Sequence, residues 1–398
     1  MGPLAGFKIL DMTAVLMGPS ATQVLGDMGA EVIKVESPDG DMVRQIGPSR
    51  HPGMGPIFMH VNRSKRSIVI DLKQAQGRAL LLRMAARADV LVYNMRPQAM
   101  ARLGLTYEAL AGVNPGLVYA GLFGFGQDGP YADRPAYDDL IQGAATIPYL
   151  FVRANGGEPR YAPSAIADRI VGLSAVGAIL AALLERGRTG LGQRVDVPML
   201  ETMVGFVLAD HLGGLTFEPP LDRGGYARQL SPNRKPYRTR DGYVCAMVYT
   251  DKQWRSFTQA IGVPDLMDQD PRFADFKART ANIDFVYTEL TRWFLERTSR
   301  EWLALLERAD IPSMPMHDLE SVLDDLHLKA VGFFPVVAHP TEGAVRTLRV
   351  AASWSRTPAR PERLPPVLGQ HTVEVLRELG LDDAEIGALR ESGAVVQA

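Results

Sequence analysis

The sequence is poor in cysteine, in net charge and in long apolar runs. Its 398 residues include one cysteine, Cys245, so no intrachain disulfide can brace the fold and a thiolate metal cluster is excluded. Lys and Arg number 43 against 45 Asp and Glu, a net charge of -2, which argues against nucleic-acid or membrane-surface binding through global electrostatics. The uncharged apolar stretch Ile170 to Leu184 is shorter than the roughly 18 to 20 residues of a membrane span. Interrupted by Gly172, Ser174 and Gly177, it reads as a buried helix. No basic segment followed by an apolar run opens the chain, and Gly6 stands where a myristoylation motif needs Ser or Thr. The expected location is the cytoplasm. Cys245, within DGYVCAMVY, reads as a small core residue of an apolar strand.

What is present is an ordinary globular composition, 46% hydrophobic and 22% charged, in a chain longer than one core usually holds. The first hundred residues alternate strand and helix. Phe7 to Asp11, Glu31 to Glu36, Ser67 to Asp71, Asp89 to Tyr93 and Leu117 to Gly121 read as strands, with helices over Pro19 to Gly29 and Gln74 to Ala88. That order predicts an α/β doubly wound layer. The helix Ile170 to Leu184 and a strand Arg194 to Val197 continue it. Eight Gly and Pro residues between Gly213 and Pro236 mark a connection or functional loop. We therefore expect a large domain over 1–211, a linker over 212–236, a small α+β domain over 237–325, and a segment 326–398 that returns to the large domain.

Two motifs invite functional readings from the residues alone. Gly124-Phe-Gly126-Gln-Asp-Gly129 matches the dinucleotide fingerprint G-x-G-x-x-G, but Pro130 and Pro135 continue a loop where that motif needs a helix N-terminus. Nicotinamide or flavin dinucleotides are therefore not expected, and the glycines read as a close backbone approach or a tight turn. The basic run Asn62-Arg63-Ser64-Lys65-Arg66, with Arg44, Arg96 and Arg102 elsewhere, could answer a phosphate-rich ligand. Exposed, solvated charge is the plainer reading.

Taken in order, GFKILDMTAVLMGPSATQVLGDMGAEVIKVE, NRSKRSIVIDLK, ADVLVYNMRPQAMARLGL, NPGLVYAGLFGFGQDGPYADRPAYDDLIQG, the AIADRIVGL to TGLGQRVDVPMLE block and PVLGQHTVEVLRELGLDD resemble the family III CoA-transferases nearly end to end. The resemblance implies an interlocked homodimer, with a Rossmann-like large domain built from both termini and a small domain inserted between. It implies that Asp168, in AIADRIVGL, is the nucleophile, where residue type alone suggests a helix N-cap. It implies CoA contacts at Val15, Leu16, Met17, Leu72, Lys73, Asn94, Met95, Arg102 and Met199. The substrates would be an acyl-CoA and a carboxylic acid, with no metal and no cofactor beyond CoA esters. Tyr137 and Gln142 are candidates to hydrogen-bond an acyl or carboxylate oxygen.

Two departures stand out. The lysine that formyl-CoA transferases carry before the tyrosine falls near Pro135 here, and their glycine loop has only a short counterpart at Gly224-Gly225, which argues against a formyl group. Arg44, Arg50 and Arg223, near the loops Gln45 to Asn62 and 212–236, suggest succinyl-CoA with a dicarboxylic or hydroxy acid. One rival on the same fold is α-methylacyl-CoA racemization, which needs two opposed acid-base groups. The corresponding loop reads Ala136-Tyr137-Asp138, and none of His51, His60, His211, His317, His327, His339 or His371 falls in it. A non-catalytic acyl-CoA binding protein is the alternative outside enzymology.

Overall fold

Short runs of β-branched and apolar residues, each followed by a helix, assemble into one largely parallel sheet. The computed structural model describes residues 2–398. In chain order the elements that position the site are β1 (Lys8–Met12), α1 (Met17–Asp27), β2 (Glu31–Glu36), β3 (Lys65–Ile70), α2 (Ala75–Ala85), β4 (Val90–Tyr93), α3 (Pro97–Arg102), β5 (Val118–Phe123), α4 (Asp138–Ala144), α5 (Ile166–Thr189) and β6 (Arg194–Pro198). The sheet runs β3-β2-β1-β4-β5-β6, with the C-terminal strand Val395–Val396 antiparallel on the β3 edge. The order reverses between β1 and β4, where Met12 pairs with Tyr93. In open α/β sheets the crevice beyond the carboxyl ends of such a pair is where ligands bind.

Contacts divide the chain into two units. Residues 2–145, 161–206 and 326–398 form the first, so its sheet and core draw on both ends of the chain. Leu10, Ile33, Ile68, Leu81, Leu91 and Tyr119 meet Val375, Leu376 and Ile386 in one buried cluster. Residues 146–160 and 207–325 form the second, so the 146–160 segment leaves the 1–211 block to which the sequence reading assigned it. An aromatic core of Trp254, Phe257, Phe273, Trp293, Phe294 and Trp302 fills this unit, and two of its helices start with full capping boxes, Thr250 with Gln253 and Thr298 with Glu301. Its small sheet pairs Tyr243–Ala246 with Ser313–Pro315. Cys245 lies there and is exposed, which corrects its reading as a core residue: alternation along the strand turns Val244 inward instead.

A second correction concerns the basic run. Asn62, Arg63, Ser64, Lys65 and Arg66 are all buried, because β3 begins at Lys65 and carries the charges into the sheet. Arg63 pairs with Asp27, Arg66 with Glu374 and Glu378, and Lys65 with Asp11. They are neither solvated nor free for phosphate. Arg44 is likewise consumed, by Glu36 at 2.7 Å.

The Asp11 and Lys65 pair supports the loop after β1. Lys65 Nζ donates to Asp11 Oδ2 at 2.8 Å, to Asn62 Oδ1 at 2.8 Å and to the Pro19 carbonyl at 2.9 Å. Asp11 accepts further from the Thr13 amide at 2.9 Å and from Thr22 Oγ1 at 2.7 Å. Lys34 Nζ holds the Thr13 carbonyl at 2.8 Å and Asp41 Oδ2 at 3.0 Å. Burial alone would push the Asp11 carboxyl up, but the Lys65 and Lys34 ammonium groups and the hydrogen bonds outweigh it and hold the group well below the usual carboxylate range. Truncating one member of such a cluster leaves an uncompensated buried charge. Asp11→Ala is expected to cost about 3–5 kcal/mol in chemical denaturation, and a loss below about 1 kcal/mol, the level of exposed pairs, would show that the cluster does not bear on the fold.

Candidate active site

Beyond the carboxyl ends of β1 and β4 the first unit holds two cavities that share Ala14 and Asn94 in their walls. The Asn94 side chain brackets Ala14 from both sides, donating to its carbonyl at 2.9 Å and accepting from its amide at 3.1 Å. Next to it Val15 sits at φ 72°, a region that β-branched residues avoid. Its amide is tied to Asp41 Oδ1 at 3.1 Å, the same carboxylate that Lys34 holds. The buried charges thus fix the loop that separates the cavities.

One cavity, of about 330 Å³, is lined by Val15, Met17, Asn94, Tyr137, Asp168 and Met199, among others. The other, of about 490 Å³, is lined by Leu72, Lys73, Asn94, Met95 and Arg102, with Lys34 and Asp41 in its wall. Residues that the family resemblance assigns to CoA and to the nucleophile therefore gather from five separate segments. Leu16 lines neither cavity; it is the residue before α1.

Asp168 does not cap its helix. Ala165 occupies that position, and Asp168 lies in the first turn of α5. The cap comes from outside: Asp138 Oδ1 accepts the Asp168 amide at 2.9 Å. Four residues on and on the same helical face, Gly172 approaches α1 so closely that a Cβ would stand 2.7 Å from Ser20 Oγ and 2.8 Å from the Met17 carbonyl. This approach sets the start of α5 against the β1 to α1 loop and turns Asp168 toward the cavity.

Burial, and then the neighbouring Asp138 carboxylate, push the Asp168 carboxyl up to about 6, while Arg169 acts in the opposite sense. Among the described residues its side chain accepts no hydrogen bond, so the oxygens are available to a reacting partner. The N-terminal end of a helix favours the anion, which keeps the group largely ionised at neutral pH.

Tyr137 lines the cavity and is 60% exposed. Gln142 is fully buried, which corrects its assignment to the substrate: its amide nitrogen donates to Asp138 Oδ2 at 2.5 Å and to the Ser164 carbonyl at 3.2 Å, and its oxygen accepts from the Ala162 amide at 2.9 Å. It braces α4 to the segment that enters α5. The glycine motif forms no helix; Gly126 donates to Glu201 Oε1 at 2.8 Å and Leu200 donates to the Gly124 carbonyl at 3.1 Å, so the loop is pinned against the end of β6. A Cβ at Gly124 would stand 2.3 Å from that of Ala136, the close approach that the glycines predict.

The family model for CoA-transferase family III matches residues 4–372. The succinate–glutarate CoA-transferase of Agrobacterium fabrum is 36% identical over 391 residues, spanning 95% of this chain and 96% of its own. The human succinyl-CoA:glutarate CoA-transferase is 33% identical, spanning 99% and 90%. Among solved structures, a CAIB/BAIF family protein from Brucella suis aligns with a TM-score of 0.78 at 33% identity, covering 95% of this chain and 99% of that one.

The electrostatics of the site can be read by carboxyl carbon NMR. Asp168 is expected to titrate near pH 6, and Asp138→Asn to move that midpoint down, since removing a like charge favours the carboxylate. A wild-type midpoint at the ordinary 3.8 would contradict the assigned environment.

Proposed function

The chain belongs to CoA-transferase family III, and we propose that it moves CoA from an acyl-CoA to a carboxylic acid with Asp168 as covalent nucleophile. The observation that carries this reading is the position of Asp168 at the helix start, in a cavity that adjoins a second one suited to the body of CoA. A cavity of about 330 Å³ suits a short acyl group and a thioester, while the neighbouring one offers Lys73 and Arg102 to the anionic end of CoA.

The steps balance without net proton transfer. An Asp168 oxygen attacks the acyl carbon, CoA thiolate leaves, and a mixed anhydride forms. The thiolate attacks the aspartyl carbonyl and releases the donor as its carboxylate, leaving an aspartyl-CoA thioester. An acceptor carboxylate displaces the thiolate from the aspartyl carbon to give a second anhydride. Thiolate attack on the acceptor acyl carbon then yields the new acyl-CoA and restores Asp168. Each tetrahedral oxyanion needs donors, and the first-turn amides of α1 at Met17 and Gly18 have no acceptor within their helix. No metal and no further cofactor enters these steps.

A homodimer belongs to the proposal. Leu173 and Leu184 on α5 are 63% and 74% exposed, a cost that a second subunit would remove. The names of the relatives support succinate and glutarate as candidate acids. Proton exchange of the racemase kind finds no support, because no histidine lines the cavity that holds Asp168.

The test is transfer in deuterated water, with succinyl-CoA and a pool of carboxylic acids, all CoA esters being read by mass spectrometry. New esters of the added acids are expected, without deuterium at the α-carbon. Asp168→Ala should lower transfer at least about a thousandfold while retaining CoA binding. Residual transfer within about tenfold of wild type, roughly 1.4 kcal/mol of barrier, would remove Asp168 as nucleophile.

A further inference from the structure

Three charged side chains line the Asp168 cavity: Asp168 itself, Arg96 and Arg134. None of the arginines first suspected of reading a second carboxylate lines this cavity. Arg44 is buried against Glu36 and also donates to the carbonyls of Gly53 and Pro366 at 3.2 Å each. Arg50 donates to the Glu342 carbonyl, and Arg223 lies in the other unit.

Arg134 is placed differently. Its guanidinium carbon lies 4.1 Å from the centre of the Tyr131 ring, and Tyr131 packs edge-on against Phe125 at 5.5 Å. The loop that carries it is tethered to α3 through Gln98 and Asp133. Stacking occupies a face of the guanidinium and leaves its in-plane N–H donors directed outward. Among the described residues no hydrogen bond or ion pair uses those donors. A planar fork, held by an aromatic ring in the wall of the cavity that also contains Asp168, matches a second carboxylate in geometry and in charge.

We infer that Arg134 is a specificity-determining residue that binds the distal carboxylate of a dicarboxylic acceptor and of the acyl group derived from it. The inference rests on the transferase reading and adds a residue and a basis for choice. Arg96, the residue before α3, is exposed as Arg134 is but adds positive potential without a stacked, tethered setting. With the near carboxylate at Asp168 and the far one at Arg134, a monocarboxylate of equal length leaves a charged donor without its partner. Sites built to satisfy a polar group discriminate strongly against ligands that lack it.

The experiment is an internal competition. Wild-type protein receives succinyl-CoA with equal concentrations of glutarate and pentanoate, and the ratio of glutaryl-CoA to pentanoyl-CoA is read at early times. Because both acids compete for one enzyme form, this ratio reports relative kcat/KM independently of donor and enzyme concentration. Wild type is expected to favour glutarate by about a hundredfold or more. Arg134→Gln should reduce the ratio by about 10- to 100-fold by losing glutarate transfer specifically, Arg134→Lys should restore part of it, and Arg96→Gln should change it less than about threefold. An unchanged ratio in Arg134→Gln, an equal loss on both acids, or a larger effect at Arg96 would overturn the assignment while leaving the transferase reading intact. Wild-type protein that forms neither ester, and no ester from a wider pool of acids, would remove the transferase reading itself and the assignment with it.

Discussion

A buried ion pair, Asp11 with Lys65, underlies the geometry of the site. Both side chains are excluded from solvent, and desolvating them is costly enough that the pair is a poor source of stability by itself. Its effect is on placement. Lys65 reaches the Pro19 carbonyl in the first turn of α1, while Asp11 reaches Thr13 and Thr22. The strand end, the loop and the helix start are thereby fixed to one another. Lys34 and Asp41 extend the same restraint to Val15. The loop wall between the two cavities is therefore set by buried, paired charges, in keeping with the rule that reactive groups depend on a supporting shell.

From α1 the restraint passes to α5 by packing. Gly172 lets α5 approach the Met17 carbonyl, and the helix presents Asp168 one turn earlier. Opposed influences then act on that carboxylate. The helix N-terminus and Arg169 favour the anion, while burial and Asp138 disfavour it, and burial is the largest influence. A carboxylate shifted to about 6 is more basic than an ordinary aspartate and still largely ionised at neutral pH, which suits a nucleophile that must form and leave an anhydride. Asp138 serves twice, as the cap that orients the first turn and as the charge that raises its neighbour.

Much of this architecture was legible in the sequence because the strands are short, apolar and bounded by clear breakers. β2 lies at its expected residues, Glu31 to Glu36. The failures share a cause: local pattern does not show which partner a charged or polar side chain meets. The run Asn62 to Arg66 looked solvent-exposed until Asp11, Asp27, Glu374 and Glu378, distant in sequence, neutralised it. Gln142 looked available to substrate until Ala162 and Ser164 engaged its amide. For Asp138 and Arg134 the sequence offers only the acid at the start of α4 and the Tyr-x-x-Arg spacing in YADR; the fold sets Asp138 on the Asp168 amide and Arg134 in the wall of the same cavity. The loop after the glycine motif, by contrast, is predicted by Pro130 and Pro135, and no helix follows Gly129 before Asp138.

The central claim is that an oxygen of Asp168 enters the bonds that are made and broken. Turnover of succinyl-CoA with glutarate carrying oxygen-18 in its carboxyl groups tests this directly, because the second anhydride leaves one acceptor oxygen on the aspartate. Mass spectrometry of the peptide containing Asp168 should find oxygen-18 in its side-chain carboxyl after turnover and none in a control lacking donor. Formation of glutaryl-CoA with an unlabelled Asp168 peptide would contradict the covalent mechanism.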